Sequence, residues 1–246
     1  NKFSGREEIM EPGKLVWLTN EETGELIDYF GAAEFLMGGD EPLSEDMLEE
    51  MREAAKMLVI NLKPRYMFKP VGLSLGQGGI SAEFSAGRSL MLSGKSIQEH
   101  LFGAGEAVAG CLTIGEGADH LISMLQHDGY MLKALFADAL ANAAVERLRV
   151  KLEQDVKETL GVSVGWLFGI GYGDLPLDLQ RDFLSCMGAE EELGITATEK
   201  MILCPSKSVT GFLNLKIEEG EVKEACNGRC SRCSRRETCH IFGGKP

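Results

Sequence analysis

Four of the seven cysteines, Cys226, Cys230, Cys233 and Cys239, fall within the final stretch CNGRCSRCSRRETCHIFGGKP. Their spacing is C-x3-C-x2-C-x5-C. Sulfurs this close let one loop wrap a metal and turn its ligands inward. Disulfides are the poorer account, because the loops would be very short and a reducing compartment opposes them. Two metal readings remain. Four thiolates complete a structural zinc site, a common staple for a short tail. They equally hold an iron–sulfur cluster, of which 4Fe–4S is the type expected here. The spacing leaves both open. His240 adjoins Cys239 but adds no needed ligand, since four sulfurs already fill a site.

The cysteine segment differs chemically from what precedes it. Residues 221–246 carry a net charge of +3 and residues 1–220 carry −16, within a total of −13 over 246 residues. The acidic balance argues against nucleic acid, whose phosphates call for basic excess. No apolar run is long enough to cross a bilayer, no leader-like segment opens the sequence, and the expected location is cytoplasmic. Two regions are expected, a body over 1–220 and a cysteine-rich metal tail over 221–246. Cys111, Cys186 and Cys204 are far apart in apolar stretches, the pattern of reduced, buried thiols.

The body must position whatever the tail serves. KLVWLTNEETGELIDYF alternates around a polar turn and predicts a β-hairpin. LSEDMLEEMREAAKML predicts a helix capped by Ser44, with Met47, Leu48, Met51, Ala54, Ala55 and Leu58 on one face. MFKPVGLSLGQGGISAEFSAGRSLML breaks into short strands between glycines. SGKSIQEHL opens a helix with a capping box from Ser96 to Glu99. Gly94-Lys95-Ser96 superficially resembles a phosphate loop, but Ser89 stands where the first glycine is required. AVAGCLTIG reads as a buried strand.

GYMLKALFADALANAAVERLRVKLEQDV is the longest helix, its stripe formed by Leu132, Leu135, Phe136, Ala139, Leu140 and Ala143. Glu146 continues that stripe or lies at its edge, where a carboxylate wants a partner. That partner is either a neighbouring arginine or a ligand. Five glycines between Gly161 and Gly173 mark unusual backbone angles or the close approach of a ligand. Residues 177–187 predict another amphipathic helix, and ITATEKMILCPSKSVTGFLNLKI two strands broken at Pro205. Strands and helices mix without strict alternation, which favours an α+β fold with an antiparallel or mixed sheet.

Four segments in this order, AVAGCLTIG, ALFADALANAAVERL, GYGDLPLDLQRDFL and LGITATEKMILCPSKSVTGFLNL, resemble the activation domain of cobalamin-dependent methionine synthase and its stand-alone relatives. The resemblance covers most of the stretch from about residue 26 to 217. It implies a C-shaped α+β domain with a twisted, mainly antiparallel sheet and flanking helices. It also implies binding of S-adenosylmethionine, docking on a corrinoid (cobalamin-binding) protein, and rescue of the cob(II) state by coupled reduction and methylation. Residue by residue, Glu146 matches the helix glutamate that receives the ligand ammonium. Gly171 and Tyr172 match the Gly-Tyr that lies against the ligand and faces the corrinoid. The arginine that grips the ligand carboxylate in the family is Leu167 here, and the proline before Gly-Tyr is Ile170. A leucine cannot make the bidentate pair of a guanidinium.

A body without that clamp, joined to four cysteines, points to a reductive activator. It would pass a low-potential electron, received from a donor, through an iron–sulfur cluster to cob(II)alamin on a partner. The alternative is a module that binds S-adenosylmethionine or corrinoid, its tail stapled by zinc.

Overall fold

The computed structural model describes residues 13–37 and 43–216. All four tail cysteines, Cys226, Cys230, Cys233 and Cys239, lie outside the described residues.

The chain opens with strand β1 (Lys14–Trp17) and helix α1 (Asn20–Glu25). The hairpin expected here does not form. Thr19 and Glu22 instead make a reciprocal capping box. Those two bonds satisfy the free amides that start a helix, and the local signal overrides the alternating pattern. Helix α2 (Tyr29–Met37) and helix α3 (Glu45–Val59) follow. Ser44 caps α3 by accepting from the Met47 amide, and Met51, Ala54, Ala55 and Leu58 form its buried face.

Strands β2 (Arg65–Gly76), β3 (Gly79–Phe84) and β4 (Arg88–Leu92) make a meander. Helix α4 (Lys95–His100) and strand β5 (Glu106–Thr113) come next. The Ser96–Glu99 capping box is absent: Ser96 lies inside the helix, whose N-cap is Gly94. Helix α5 (Gly117–His127) leads into α6 (Met131–Leu160), a helix of 30 residues ended by left-handed Gly161. Its predicted stripe holds at Phe136, Ala139, Leu140 and Ala143 but not at Leu132 and Leu135, which are exposed. Strand β6 (Ser163–Gly169), helices α7 (Gln180–Met187) and α8 (Ala189–Leu193), short strands β7 (Thr196–Ala197) and β8 (Leu203–Cys204), and strand β9 (Ser208–Lys216) complete the described chain.

Seven strands form one sheet in the order β4-β3-β2-β5-β9-β6, with β1 also on β2. Every pairing among the described strands is antiparallel. The α+β expectation therefore holds. Residue alternation assigns the two faces. Tyr66, Phe68, Val108, Leu112, Leu167 and Leu213 pack under α3, α5 and α6. Met67, Ala109, Cys111, Phe168 and Phe212 point the other way, against α4, α7 and α8. The isolated thiols split by environment. Cys111 is buried, whereas Cys186 is half-buried and Cys204 exposed, against the expectation that all three are buried. Burial pushes the Cys111 thiol well above its ordinary value, which leaves it protonated and inert.

Among the described residues no helix is long and apolar enough to cross a membrane.

Candidate functional site

Strand β6 is the edge of the sheet, and the predicted site residues lie on its two sides. On one side is α6. Glu146 accepts from Arg149 Nε at 2.9 Å, one turn along the helix. Arg149 is 6% exposed, and its Nη1 also donates to Glu153. Burial alone would lower the Arg149 pKa, but Glu153 and then Glu146 outweigh it and hold the guanidinium above its ordinary value. The Glu146 side chain is 36% exposed.

Glu153 has a second task. Its Oε1 accepts the Leu167 amide at 2.8 Å. The register between β6 and β9 shifts between Val164 and Leu167, so that Gly165 and Trp166 bulge from the ladder. A bulge on an edge strand leaves amides without a ladder partner, and Glu153 supplies one. The Leu167 side chain is 1% exposed, in the α6 core with Leu152. The position that the resemblance assigns to a carboxylate-gripping arginine is thus a core position here.

The other side of β6 is aromatic. Trp166 and Phe168 point away from α6 and pack with His100 from α4. Ring centroids lie 4.9 Å apart for His100–Trp166, 5.3 Å for His100–Phe168 and 5.3 Å for Trp166–Phe168. Tyr172 joins at 6.0 Å from Phe168 and is 43% exposed. The loop that presents it is held at both ends. Ile170 N donates to Thr210 O and Tyr172 N to Gly169 O, each at 3.1 Å. Gly171 has φ +83°, and a Cβ there would come 2.8 Å from Leu177 Cδ1. Glycine is therefore required at this corner.

Beyond the tyrosine, the Asp174 carboxylate accepts from Lys95 N at 2.7 Å and Ser96 N at 2.9 Å. The backbone amides of Ser96 and Lys95 hold its carboxyl below its ordinary value. This is an N-terminal cap supplied by a residue far away in sequence, and it fastens the loop to α4.

The structure thus places Gly171 and Tyr172 together at one exposed corner. Glu146 stands on the helix that covers the opposite face. Two concavities lie elsewhere. One of about 520 Å³ is lined by Lys63, Arg65, His120 and Cys204 among others. The second, about 670 Å³, is lined by Gln154, Lys157, Glu158, Gly161, Val162 and Ser163. Neither is lined by Glu146, Gly171 or Tyr172. No group of three or more His, Cys, Asp or Glu side chains suited to a metal occurs among the described residues.

The neighbouring arginine expected as one possible partner of Glu146 is Arg149, but sequence reasoning missed Glu153, His100 and Trp166. A signal existed for two of them. Glu146-x2-Arg149-x3-Glu153 is one helical face with a single cation between two anions. The two-residue step from Trp166 to Phe168 puts both rings on one face of a strand. Nothing in the sequence placed His100 beside them.

With this arrangement in view, the comparisons fall into two kinds. No protein-family model matches the chain, and no curated protein matches it in sequence. Among solved structures, the crystal structure of the MetH reactivation domain bound to AdoHcy is similar with a TM-score of 0.63. The likeness covers 95% of this chain and 91% of that one at 15% identity. The chain has the fold of that domain.

Proposed function

We propose that this chain is a reductive activator of a corrinoid protein. The observation that carries the proposal is the shared fold with the MetH reactivation domain over 95% of the chain. In this reading the Gly171–Tyr172 corner meets the corrinoid held by the partner. An exposed tyrosine on a glycine-held turn suits a flat, amide-rimmed macrocycle. Glu146 receives a ligand cation such as an ammonium. The acidic body steers the encounter with a partner of complementary charge.

The tail, residues 221–246, carries the reductant. Cys226, Cys230, Cys233 and Cys239 would hold a 4Fe–4S cluster, which when bound supplies one electron at a potential negative enough for this task. That electron would take the partner's cobalt from the +2 to the +1 state, and a low-potential donor would be its source. Arg229, Arg232, Arg235 and Arg236 offset the negative charge of four thiolates. Core burial of Leu167 supports an electron-supplying role over ordinary reductive methylation. Loss of a charge-assisted carboxylate pair costs about 2–4 kcal/mol, or about two orders of magnitude in affinity for S-adenosylmethionine.

One observation favours a second reading, a binding module for an S-adenosyl ligand or a corrinoid with a zinc-stapled tail. The structurally similar MetH domain is bound to AdoHcy, and Glu146 is partly open. Metal analysis of anaerobically purified protein separates the two. The activator is brown, contains iron and sulfide, and shows a reducible paramagnetic signal. Colourless protein with one zinc per chain overturns that part of the proposal. A Cys230→Ser variant that still activates a corrinoid partner does the same. Calorimetry with S-adenosylmethionine and with cobalamin tests the second reading.

A further inference from the structure

We infer that the cavity between β2, α5 and β8 binds the zwitterionic head of a free α-amino acid. Neither Glu146 nor Tyr172 lines it, and the inference does not rest on the proposed function. Four stretches far apart in sequence converge there, residues 63–65, 116–120, 194–196 and 204–205, around a volume of about 520 Å³. That volume suits a small organic molecule.

Arg65 is the anchor. Its Nε and Nη2 donate to Leu193 O, its Nη1 donates to Lys63 O, and its Cζ lies 4.9 Å from the centre of the Trp17 ring. These contacts fix the guanidinium, yet the three bonds leave two of its five N–H groups for a ligand. Among the described residues it has no ion pair. Burial lowers its pKa and Glu116 opposes the shift, as expected of a half-buried cation that lacks a hydrogen-bonded anion. Gly194 also lines the cavity. A Cβ there would stand 3.5 Å from Arg65 Nη2, so glycine leaves that nitrogen uncovered. A guanidinium that is both fixed and open suits a carboxylate.

The acids of the cavity decide the rest of the ligand. Asp119 is occupied, since it accepts the Ser206 amide at 2.8 Å and the Ser206 hydroxyl at 2.5 Å. The exposed Glu116 carboxylate has no partner among the described residues, and it is the group that would receive an ammonium. Lys63 and Arg65 balance Glu116 and Asp119 in charge, so the matching ligand carries both signs and no net charge. A phosphate would set further negative charge beside two carboxylates. His120 and Cys204 line the same cavity but belong to no metal-binding group of three or more side chains among the described residues. With Pro205 they are left to border the amino acid's own side chain.

Two-dimensional NMR of the full chain, titrated with the common L-amino acids, tests this. The chain has two tryptophans, Trp17 and Trp166. One rests against Arg65 and the other stands among the rings beside β6, so the two indole resonances report the two regions separately. The inference predicts that at least one amino acid, added up to about 10 mM, shifts the Trp17 indole and leaves the Trp166 indole in place. Acetate, methylammonium and inorganic phosphate each carry only one sign of charge and should bind at least about tenfold more weakly.

Glu116→Gln should weaken that amino acid about tenfold without changing the fold, because the side chain is exposed. Arg65→Lys should weaken it by a similar factor, since an ammonium has no fork for a carboxylate. Should Arg65→Lys fail to fold, Glu116→Gln carries the test alone. A Trp17 indole that no amino acid moves overturns the inference, and so does one that moves only together with Trp166. Phosphate binding as tightly as the best amino acid overturns it too, as does binding that Glu116→Gln leaves unchanged. No corrinoid protein enters these measurements, so failure here and failure of activation are distinguishable.

Discussion

The two faces of the sheet solve the problem of covering it in opposite ways. The α6 face lies under long helices. Twelve further side chains of the 30-residue α6 besides Arg149 are buried, most of them alanine and leucine, and Arg149 is held by Glu146 and Glu153 of the same helix. The other face is covered by three short helices, α4, α7 and α8, fastened by polar side chains distant in sequence. Asp174 caps α4, and the buried Gln180 donates to Thr210 Oγ1 at 2.7 Å. Its core is aromatic, with Phe84, Phe183 and Phe212 in edge-to-face contact at 5.3–6.5 Å. The comparison teaches a division of labour. The helical face is built from long, locally encoded segments, and the loop face leaves the Tyr172 ring 43% exposed.

The largest effects should come from either core, which tests whether the faces share one folding unit. Phe212→Ala on the loop face should cost about 3–5 kcal/mol and Leu148→Ala on the helical face about 2–5 kcal/mol. Urea unfolding followed by circular dichroism and by tryptophan emission should give one coincident transition in both variants. Separate transitions would break the single sheet into two stability units. Glu153→Ala comes next, at about 2 kcal/mol. It leaves the Leu167 amide without its acceptor, while Arg149 keeps Glu146.

Gly171→Ala should cost about 1–2 kcal/mol, since an L-residue is strained at φ +83°. Unlike the core variants, it should impair corrinoid activation out of proportion to stability. Tyr172→Ala sharpens the same contrast. It should change stability by less than about 1 kcal/mol and yet abolish activation, as read by loss of the cob(II) signal. The reverse pattern, lost stability with intact activation, would move the docking surface elsewhere.

The smallest effect is electrostatic and lies away from both cores. The Thr19 backbone amide, aided by Lys151 and the Thr19 hydroxyl, lowers Glu22 from 4.5 to about 2. A carboxylate with a depressed folded pKa stabilises the fold fully above its unfolded value and loses that contribution as pH falls through the folded one. Stability should therefore decline between pH 4.5 and about 2, and Glu22→Gln should flatten that part of the profile, as measured by thermal unfolding across the range.

Much of the helical face was legible from sequence, because its signals are local. The apolar spacing in α3 and α6, the Ser44 cap and the continuous apolar run of β5 each act within a few turns. Where two local signals compete the sequence is ambiguous: alternation around TNEETGEL favours a turn, but the Thr19–Glu22 box makes a helix. The loop face was harder to read, because its parts come together only in the fold. The cap of α4 comes from Asp174, and Ser96, which looked like the cap, sits inside the helix. Glu146 and Tyr172 read as one site in sequence, but the sheet places their helix and ring cluster on opposite sides of β6. Leu132 and Leu135 fit the stripe of α6 by spacing, yet in its first turns the buried side is the one carrying Ala134, Phe136 and Ala137, and both leucines face outward.

The central claim is that this chain returns cob(II) on a partner to a reactive state. Its most direct test is electron paramagnetic resonance of a corrinoid protein held as cob(II)alamin, mixed anaerobically with this chain and a low-potential reductant. The account predicts that the cob(II) signal disappears only when the chain is present, and that it persists with Tyr172→Ala. A cob(II) signal that survives the intact, metal-loaded chain would contradict it.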